Sequence, residues 1–196
     1  MNPAIETLLA TIRILCPGLS GDELAAFVSM SRVQELKKKD IFLRAGAIQK
    51  SIGFIAKGLV RSSYVDNDGN EITVGFYAEG DYATHYPSFI RKIPSSYTIQ
   101  CLEPVTMVCL SYDDIQQTYQ RFPKVERYGR LVAEEILKRQ QARIEGFIFQ
   151  TAEQRYLDFM QQHPGLYNRV SLSQLCSYLG IERQTLTRIR QRLAHS

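Results

Sequence analysis

The sequence predicts an α+β fold made of three successive parts: a β-domain, one long helix and a C-terminal pair of short helices. Three observations carry this prediction. Short β-type runs, punctuated by glycines, fill residues 40–112; residues 124–149 contain no proline; and helical spacing of apolar residues resumes after Ser171. With 196 residues, of which 44% are hydrophobic, the chain is long enough to bury a core.

The chain begins with helical sequence. Residues 3–35 are predicted to be helical, with a break at Pro17–Gly18, and Ser20 and Glu23 have the spacing of a capping box at the start of the second helix. Three lysines at 37–39 follow, and we interpret them as a solvated edge before the first strand.

The β-domain is predicted from six runs rich in β-branched and aromatic residues, which start near residues 41, 51, 59, 71, 97 and 106. Glycines at positions 46, 58, 69 and 80 recur at intervals of 12, 11 and 11 residues. The segment 67–70, Asn-Asp-Gly-Asn, is a strong hairpin turn. Short strands at this spacing predict a sandwich or barrel-like domain.

The long helix is predicted over residues 124–149 and carries an apolar stripe. A stripe of this length needs a covering surface, which is either the rest of the same chain or the same helix of a second subunit. The candidate dimerisation residues are Val125, Tyr128, Val132, Ile136 and Ile144.

The C-terminal pair of helices has the pattern of a helix-turn-helix. Ser171 and Gln174 form a capping box, and Gly180 lies where the chain leaves one helix for the next. The second helix carries four arginines, at 183, 188, 190 and 192, next to one acid, Glu182. A DNA-binding helix-turn-helix places such a helix in the major groove. The alternative is a surface hairpin with a solvated basic face.

The charge distribution favours a polyanionic partner for the last quarter of the chain. Residues 151–196 hold six arginines and three acids, a net charge of +3, whereas residues 1–150 hold 18 basic and 17 acidic residues, a net charge of +1.

Several classes of protein are disfavoured. The sequence has no long apolar run and no export signal, so we expect a cytoplasmic protein without a membrane partner. Its four cysteines are scattered and we expect them to be reduced and buried. No hydrolase, zinc-protease or nucleotide-triphosphate motif occurs, and we expect neither a catalytic site nor a metal site.

In this order of parts, the chain resembles the cyclic-AMP receptor protein and fumarate–nitrate regulator (Crp/Fnr) superfamily. The matching features are the four regularly spaced glycines, the pair Gly80–Asp81, the segment 68–71 and LGIERQTLTRIR at 179–190. The resemblance implies an effector-binding-like β-roll, a jelly roll of the cyclic-nucleotide-binding type, at 1–123. It also implies a dimerisation helix at 124–149 and a helix-turn-helix DNA-binding domain at 150–196. The last would be winged-helix-like but truncated, with Leu166–Val170 as the candidate wing strand.

The resemblance also implies which residues meet DNA. The family often reads S-R-E-T-V-x-R or T-P-E-T-L-S-R where this chain has residues 182–188. By resemblance, Arg183, Gln184 and Arg188 contact bases and phosphates, and Gln184 and Arg188 share one helical face because they are four residues apart. Thr187 and Arg190 complete the predicted set. The implied partners are double-stranded DNA and a second copy of the chain, with RNA polymerase as a further candidate.

The effector site departs from the family pattern. Cyclic-nucleotide binders of the family carry a cassette resembling F-G-E-L, followed by an Arg-Ser or Arg-Thr pair. Here Thr84 and His85 replace the Gly and Glu, and Ser95 replaces the Arg that neutralises the phosphate. A buried phosphate without its charge partner is costly, so we expect no cyclic-AMP binding and assign no cofactor. Arg91 and Lys92 are nearby alternatives for an anion.

Another small effector, or none, remains open for this pocket. Its candidate residues are Tyr82, Thr84, His85, Tyr86, Ser95 and Ser96. His85 is also a candidate haem or metal ligand, although metal sites usually need several converging ligands.

Three classes of function compete at this point. The leading hypothesis is a homodimeric, sequence-specific transcriptional regulator. The second is a cyclic-nucleotide-binding regulatory module that acts on a protein partner, which would leave the arginine-rich helix unexplained. The third is a cupin-type metal enzyme, which would need at least two histidines in the β-domain, where only His85 occurs.

Overall fold

Two four-stranded sheets form the β-domain in the computed structural model of the chain, which describes residues 1–194. One sheet has the order β1-β8-β3-β6 and the other β2-β7-β4-β5. The strands are β1 (Ser31–Leu36), β2 (Ile41–Leu43), β3 (Ser51–Lys57), β4 (Val60–Val65), β5 (Glu71–Tyr77), β6 (Tyr82–Ala83), β7 (Thr98–Cys101) and β8 (Val105–Ser111). The predicted jelly-roll architecture is confirmed.

The central strand β3 is buried on both faces, which explains its nearly continuous apolar sequence. It pairs with β8 in antiparallel register, from Ser51 opposite Ser111 to Ile55 opposite Met107. Phe54 packs among the residues of the helices, whereas Ile55 packs in the cluster between the sheets. Both side chains are fully buried. This strand therefore joins two hydrophobic clusters.

Gly58 is required in the turn between β3 and β4. Its φ is +101°, a conformation that side chains other than glycine rarely adopt. A Cβ there would also lie 2.4 Å from the Pro104 carbonyl oxygen. The regular glycine spacing in the sequence therefore reflects turn geometry at this position.

The N-terminal helices α1 (Pro3–Leu15) and α2 (Gly21–Met30) follow the prediction except at their end. The capping box of Ser20 and Glu23 is formed. The prediction of helix up to residue 35 is wrong, because residues 31–36 are strand β1. They pair with β8 from Ser31 opposite Leu110 to Leu36 opposite Val105, and this long-range pairing decides their conformation.

The remaining helices are α3 (Tyr86–Arg91), α4 (Tyr112–Arg121), α5 (Pro123–Phe149), α6 (Ala152–Gln162), α7 (Leu172–Leu179) and α8 (Arg183–Ala194). The predictions of α4, α5 and α6 are confirmed to within a few residues, whereas β6 and α3 were not predicted. The residues 166–170 form turns rather than the predicted extended stretch. The Arg169 and Val170 amides both donate to the Leu166 carbonyl, so this segment supplies no wing strand.

The chain divides into two compact units. The first unit comprises Met1–Ser62 and Phe76–Glu135, and the second comprises Ser63–Gly75 and the residues from Ile136 onward. The hairpin of β4 and β5 and the helix α5 contribute residues to both units.

All four cysteines are buried and unbridged, and burial raises the pKa of the Cys101 and Cys109 thiols to about 11. In residues 1–194, no helix has the length and apolarity that crossing a membrane requires.

Candidate nucleic-acid interface and ligand cassette

The helices α7 and α8 form the predicted helix-turn-helix. The Ser171 hydroxyl accepts a hydrogen bond from the Gln174 amide, and the Gln174 side chain accepts one from the Ser171 amide, which closes the capping box. At the other end, Gly180 adopts the left-handed conformation with φ +62°, and the Ile181 amide donates to the Cys176 carbonyl. This is the cap expected where one helix must stop and the next begin in a new direction.

One face of α8 is exposed and polar. Leu186 and Ile189 are buried, so the helix is held by its apolar side. The opposite side presents four of the five predicted DNA-binding residues, and these are Arg183, Gln184, Thr187 and Arg188. The first three line a shallow groove together with Glu182. Donors and acceptors of this kind near a helix start are suited to contact with base edges and phosphates.

Arg190 does not share this face, and its assignment as a phosphate contact does not fit its position. The guanidinium lies over the ring of Tyr167, 5.0 Å from the centroid, and 5.9 Å from that of Tyr156 on α6. Its Nε is buried and has no hydrogen-bond partner among the described residues. Two aromatic rings from outside α8 thus turn this arginine into a packing residue.

The predicted pocket residues lie in two segments, 82–86 and 95–96, which together are called the cassette, and several of their polar atoms are hydrogen-bonded within the protein. The centre of the network is Gln49, in the loop before β3, which is only 4% exposed. Its Oε1 accepts from the His85 amide at 2.7 Å and from the Thr84 hydroxyl at 3.3 Å, and its Nε2 donates to the Ser51 carbonyl at 2.9 Å. The backbone amide of Gln49 donates to the Ser88 hydroxyl at 2.9 Å. Gln49 therefore fixes Thr84, His85 and Ser88 to the start of β3.

The second segment of the cassette, residues 95–96, forms hydrogen bonds with the neighbouring Tyr97. The Ser95 hydroxyl donates to the Tyr97 carbonyl and accepts from the Tyr97 amide. The His85 ring contacts the Tyr97 ring edge-on. The Nε2 atom of His85 lies 3.3 Å from the hydroxyl of Ser96, which is exposed. Burial lowers the pKa of His85 because it disfavours the charged ring. Its Nδ1 is buried without a hydrogen-bond partner among residues 1–194.

The two cassette tyrosines have different environments. The Tyr82 hydroxyl lies 2.8 Å from the Tyr128 hydroxyl on α5, and the Tyr82 ring packs against Phe54. Tyr86 is 39% exposed at the start of α3. Of these two tyrosines, Tyr82 is the one that binds the first half of α5.

The two cations near the cassette, Arg91 and Lys92, are both exposed. Lys92 pairs with Asp113 on α4 at 3.5 Å and lies over the Tyr112 ring. Among the described residues, no three His, Cys, Asp or Glu side chains converge as a metal site would need.

The long helix α5 carries the predicted dimerisation residues on two different faces. Val125 is fully buried and Tyr128 is 3% exposed, and both belong to the core of the first unit, so their assignment to a subunit interface is wrong. Val132 packs against the same core and Ile136 is half-buried. Ile144 is 52% exposed.

Ile144, which is one of the predicted dimerisation residues, belongs to a second and exposed apolar row on α5 that also contains Leu137 and Ile148. Leu137 is 67% exposed and Ile148 is 65% exposed, and they flank Ile144 along one side of the helix at seven- and four-residue steps. The signal was present as a heptad step between Leu137 and Ile144, but the stronger stripe on the buried side obscured it. Gln49 gave no signal, because it lies far from the cassette in sequence.

The comparisons with known proteins agree with this architecture. Residues 33–122 match the family model of the cyclic nucleotide-binding domain. The c-di-GMP responsive global regulator CLP of Xanthomonas campestris is 16% identical with a TM-score of 0.69, over 90% of this chain and 92% of that one. FixK2 of Bradyrhizobium japonicum is 16% identical with a TM-score of 0.70, over 84% and 85% of the two chains.

The catabolite activator protein of Thermus thermophilus is 20% identical, with a TM-score of 0.58 over 92% of this chain and 86% of that one. At these identities the structural matches establish the fold. No significant match was found among curated proteins.

Proposed function

We propose that this chain, which has the fold of the Crp/Fnr regulators and carries a cyclic nucleotide-binding domain at residues 33–122, is a homodimeric regulator of transcription that binds specific DNA sequences. The observation that carries the proposal is the exposed face of α8 on a capped helix-turn-helix. In proteins of this architecture, the second helix enters the major groove with its first residues against the base edges.

The exposed residues of α8 suit the two tasks of recognition. Gln184 and Arg188 lie one helical turn apart, and their side chains can pair in bidentate fashion with adenine and guanine, respectively. Arg183, at the helix start, is placed for a phosphate. The Thr187 hydroxyl donates to the Arg183 carbonyl, so this side chain offers chiefly its methyl group to the groove.

A second copy of the chain is the proposed cover for the exposed apolar row of α5. Leu137, Ile144 and Ile148 lie along one side of the helix and are each more than half exposed. A two-fold axis beside this helix would bring the same row of two chains together, as in a coiled coil. Such a dimer presents two recognition helices to a palindromic site.

We also propose that the cassette does not bind cyclic AMP. The Thr84 hydroxyl and the His85 backbone amide are already bound to Gln49, and the Ser95 hydroxyl is bound to Tyr97. Ser95, in the position of the family's arginine, offers no charge to a phosphate, and Lys92 is engaged by Asp113. An anion buried against Ser95 would lose its hydration without gaining a charge from the residue at that position.

Selection from random duplex DNA tests the proposal. The wild type should enrich a palindromic motif, and Gln184→Ala should relax one base position in each half-site at a cost of about 1–3 kcal/mol. Gln161→Ala makes the same change at an exposed position of α6 and serves as the control. Enrichment of no motif by the wild type would contradict the regulator, and binding of a protein partner instead would favour the regulatory module. Micromolar binding of cyclic AMP in calorimetry would contradict only the proposal that the cassette does not bind this nucleotide.

A further inference from the structure

Two arginines converge on the C-terminal end of α7. Arg143 on α5 donates from Nη2 to the Tyr178 carbonyl at 2.9 Å, and Arg155 on α6 donates from Nε to the Leu179 carbonyl at 2.9 Å. The last carbonyls of a helix have no partner within the helix and form the negative end of its dipole. Both guanidinium groups therefore bind where α7 most needs donors and positive charge.

A phenyl ring lies close to both of these guanidinium groups. The centroid of the Phe147 ring is 5.0 Å from the Arg143 Cζ and 5.2 Å from the Arg155 Cζ. Phe147 follows Arg143 by one helical turn, so both side chains leave α5 on the same side. The ring also closes on the turn, because a Cβ on Gly180 would lie 2.7 Å from the Phe147 Cε1 atom. A larger residue at position 180 would therefore force the Phe147 ring or the turn to move.

Strand β5 binds at the same place through Thr73. The Thr73 hydroxyl lies 2.7 Å from the Ser177 hydroxyl, and the Thr73 amide donates to that same oxygen at 3.2 Å. The Thr73 carbonyl accepts a longer hydrogen bond from Arg143 Nη2, at 3.4 Å. Thr73 is fully buried and belongs to the second unit, as do Arg143 and Ser177. Arg143 thus links α5, α7 and strand β5.

These contacts attach the helix-turn-helix to the proposed dimerisation helix. α7 ends at Leu179, and α8 begins four residues later at Arg183, so an α7 fixed on α5 also fixes the direction of α8. In a dimer joined through α5, the distance between the two recognition helices would follow from this attachment. Two helices held at a fixed distance accept only half-sites that are separated by a matching length of DNA.

We propose that Arg143 is a positioning residue that sets the half-site spacing that the dimer accepts. The proposal rests on the proposed function, since half-site spacing has meaning only for a dimer on DNA. Arg143 lies on α5 rather than on α8, so it acts through α7 and not by contact with bases. Its loss should loosen the helix-turn-helix on α5 and leave the surface of α8 unchanged.

The test measures affinity for a series of palindromic duplexes whose half-sites are moved apart or together in single base-pair steps. The wild type should lose about 100-fold in affinity at unsuitable spacings, because only one half-site is then engaged. Arg143→Met should show a flat profile, within about fivefold across the series, because a loosely attached α7 lets both half-sites bind. Its affinity for a single half-site should equal that of the wild type.

Arg127→Met is the matched control, since it makes the same change at an exposed position of the same helix. Its spacing profile should superimpose on that of the wild type. Arg143→Lys retains one positive charge but not the planar group that reaches two carbonyls, so it should restore little of the spacing preference. If Arg143→Met does not fold, as judged by circular dichroism, the profile of Ser177→Ala decides, and it should be flatter than that of the wild type.

Two negative results are distinguishable. A wild type that binds no palindrome would overturn the proposed function. If the wild type has a sharp spacing preference and the Arg143→Met dimer keeps it, only the positioning role is overturned. Where Arg143→Met does not fold, the same conclusion follows if Ser177→Ala keeps the preference. A drop in single half-site affinity equal to the drop for the palindrome would also contradict it, because it would mean that Arg143 supports α8 itself.

Discussion

The hydroxyl of Tyr82 on β6 lies 2.8 Å from the hydroxyl of Tyr128 on α5. This pair joins the cassette to the first half of the long helix inside an aromatic cluster, in which Phe54 packs on Tyr82 and Phe27 contacts Tyr128 edge-on. Burial raises the pKa of Tyr128 to about 12 and that of Tyr82 well above its usual range, so both phenols stay protonated. One hydroxyl donates and the other accepts.

Tyr128→Phe should lower the free energy of unfolding by about 1 kcal/mol, because it removes this hydrogen bond and retains the ring. Urea denaturation of both proteins measures the difference. Tyr86→Phe is the control, since that tyrosine is 39% exposed. An equal loss in both variants would show that the Tyr82–Tyr128 bond does not stabilise the fold.

His85 predicts a dependence of stability on pH. Burial lowers its pKa below the usual value of 6.5, whereas in the unfolded chain the pKa returns to that value. Between the two pKa values, the unfolded chain binds more protons than the folded protein, so the free energy of unfolding should fall as the pH falls below about 6.5. His85→Gln should lack this part of the loss.

The measurement is the difference in unfolding free energy between about pH 7.5 and pH 5.5, compared for the wild type and His85→Gln. The other two histidines are common to both proteins and cancel in the comparison. Identical pH profiles would contradict the burial of a neutral His85. A steeper fall in the variant would show that a partner of the charged ring had been overlooked.

The helix-turn-helix could be predicted in detail because its signals are local. Capping residues, the glycine of the turn and the period of the buried leucines all lie within 26 residues of sequence, and each acts on its immediate neighbours. The exposed face of α8 followed from the position of Leu186 and Ile189. Local patterns of this kind survive folding because no distant contact opposes them.

Other features could not be predicted because distant residues decide them. Arg190 has the sequence appearance of a surface arginine, but Tyr156 and Tyr167 cover it. Strand β1 depends on its pairing with β8. Gln49 is tied to Thr84 and His85 by hydrogen bonds that no spacing rule indicates. In each case, the partner lies outside the segment whose pattern was interpreted.

Arg190→Met and Arg183→Met separate packing from DNA contact, since they make the same change on the same helix. Arg183→Met should make the slope of log affinity against log salt shallower by about 0.9, the value for one phosphate contact. Arg190→Met should leave that slope unchanged and lower the melting temperature, because the guanidinium packs on two rings. A shallower slope in the Arg190 variant would restore its assignment as a phosphate contact.

The exposed apolar row of α5, which consists of Leu137, Ile144 and Ile148, gives a test of dimerisation. Leu137 and Ile144 are exposed in the single chain, so their double replacement by Glu should leave the fold intact and place like charges in the proposed interface. Val125 is unsuitable for this test, because a charge in its buried site would unfold the chain instead.

Sedimentation velocity of the Leu137→Glu, Ile144→Glu variant should therefore show a folded monomer, whose affinity for a palindrome falls to that for a single half-site. Ile14→Glu is the control, since Ile14 is 84% exposed on α1 and lies outside the proposed interface. A double variant that still sediments as a dimer would place the interface elsewhere. A wild type that is monomeric both alone and on palindromic DNA would contradict the homodimer itself.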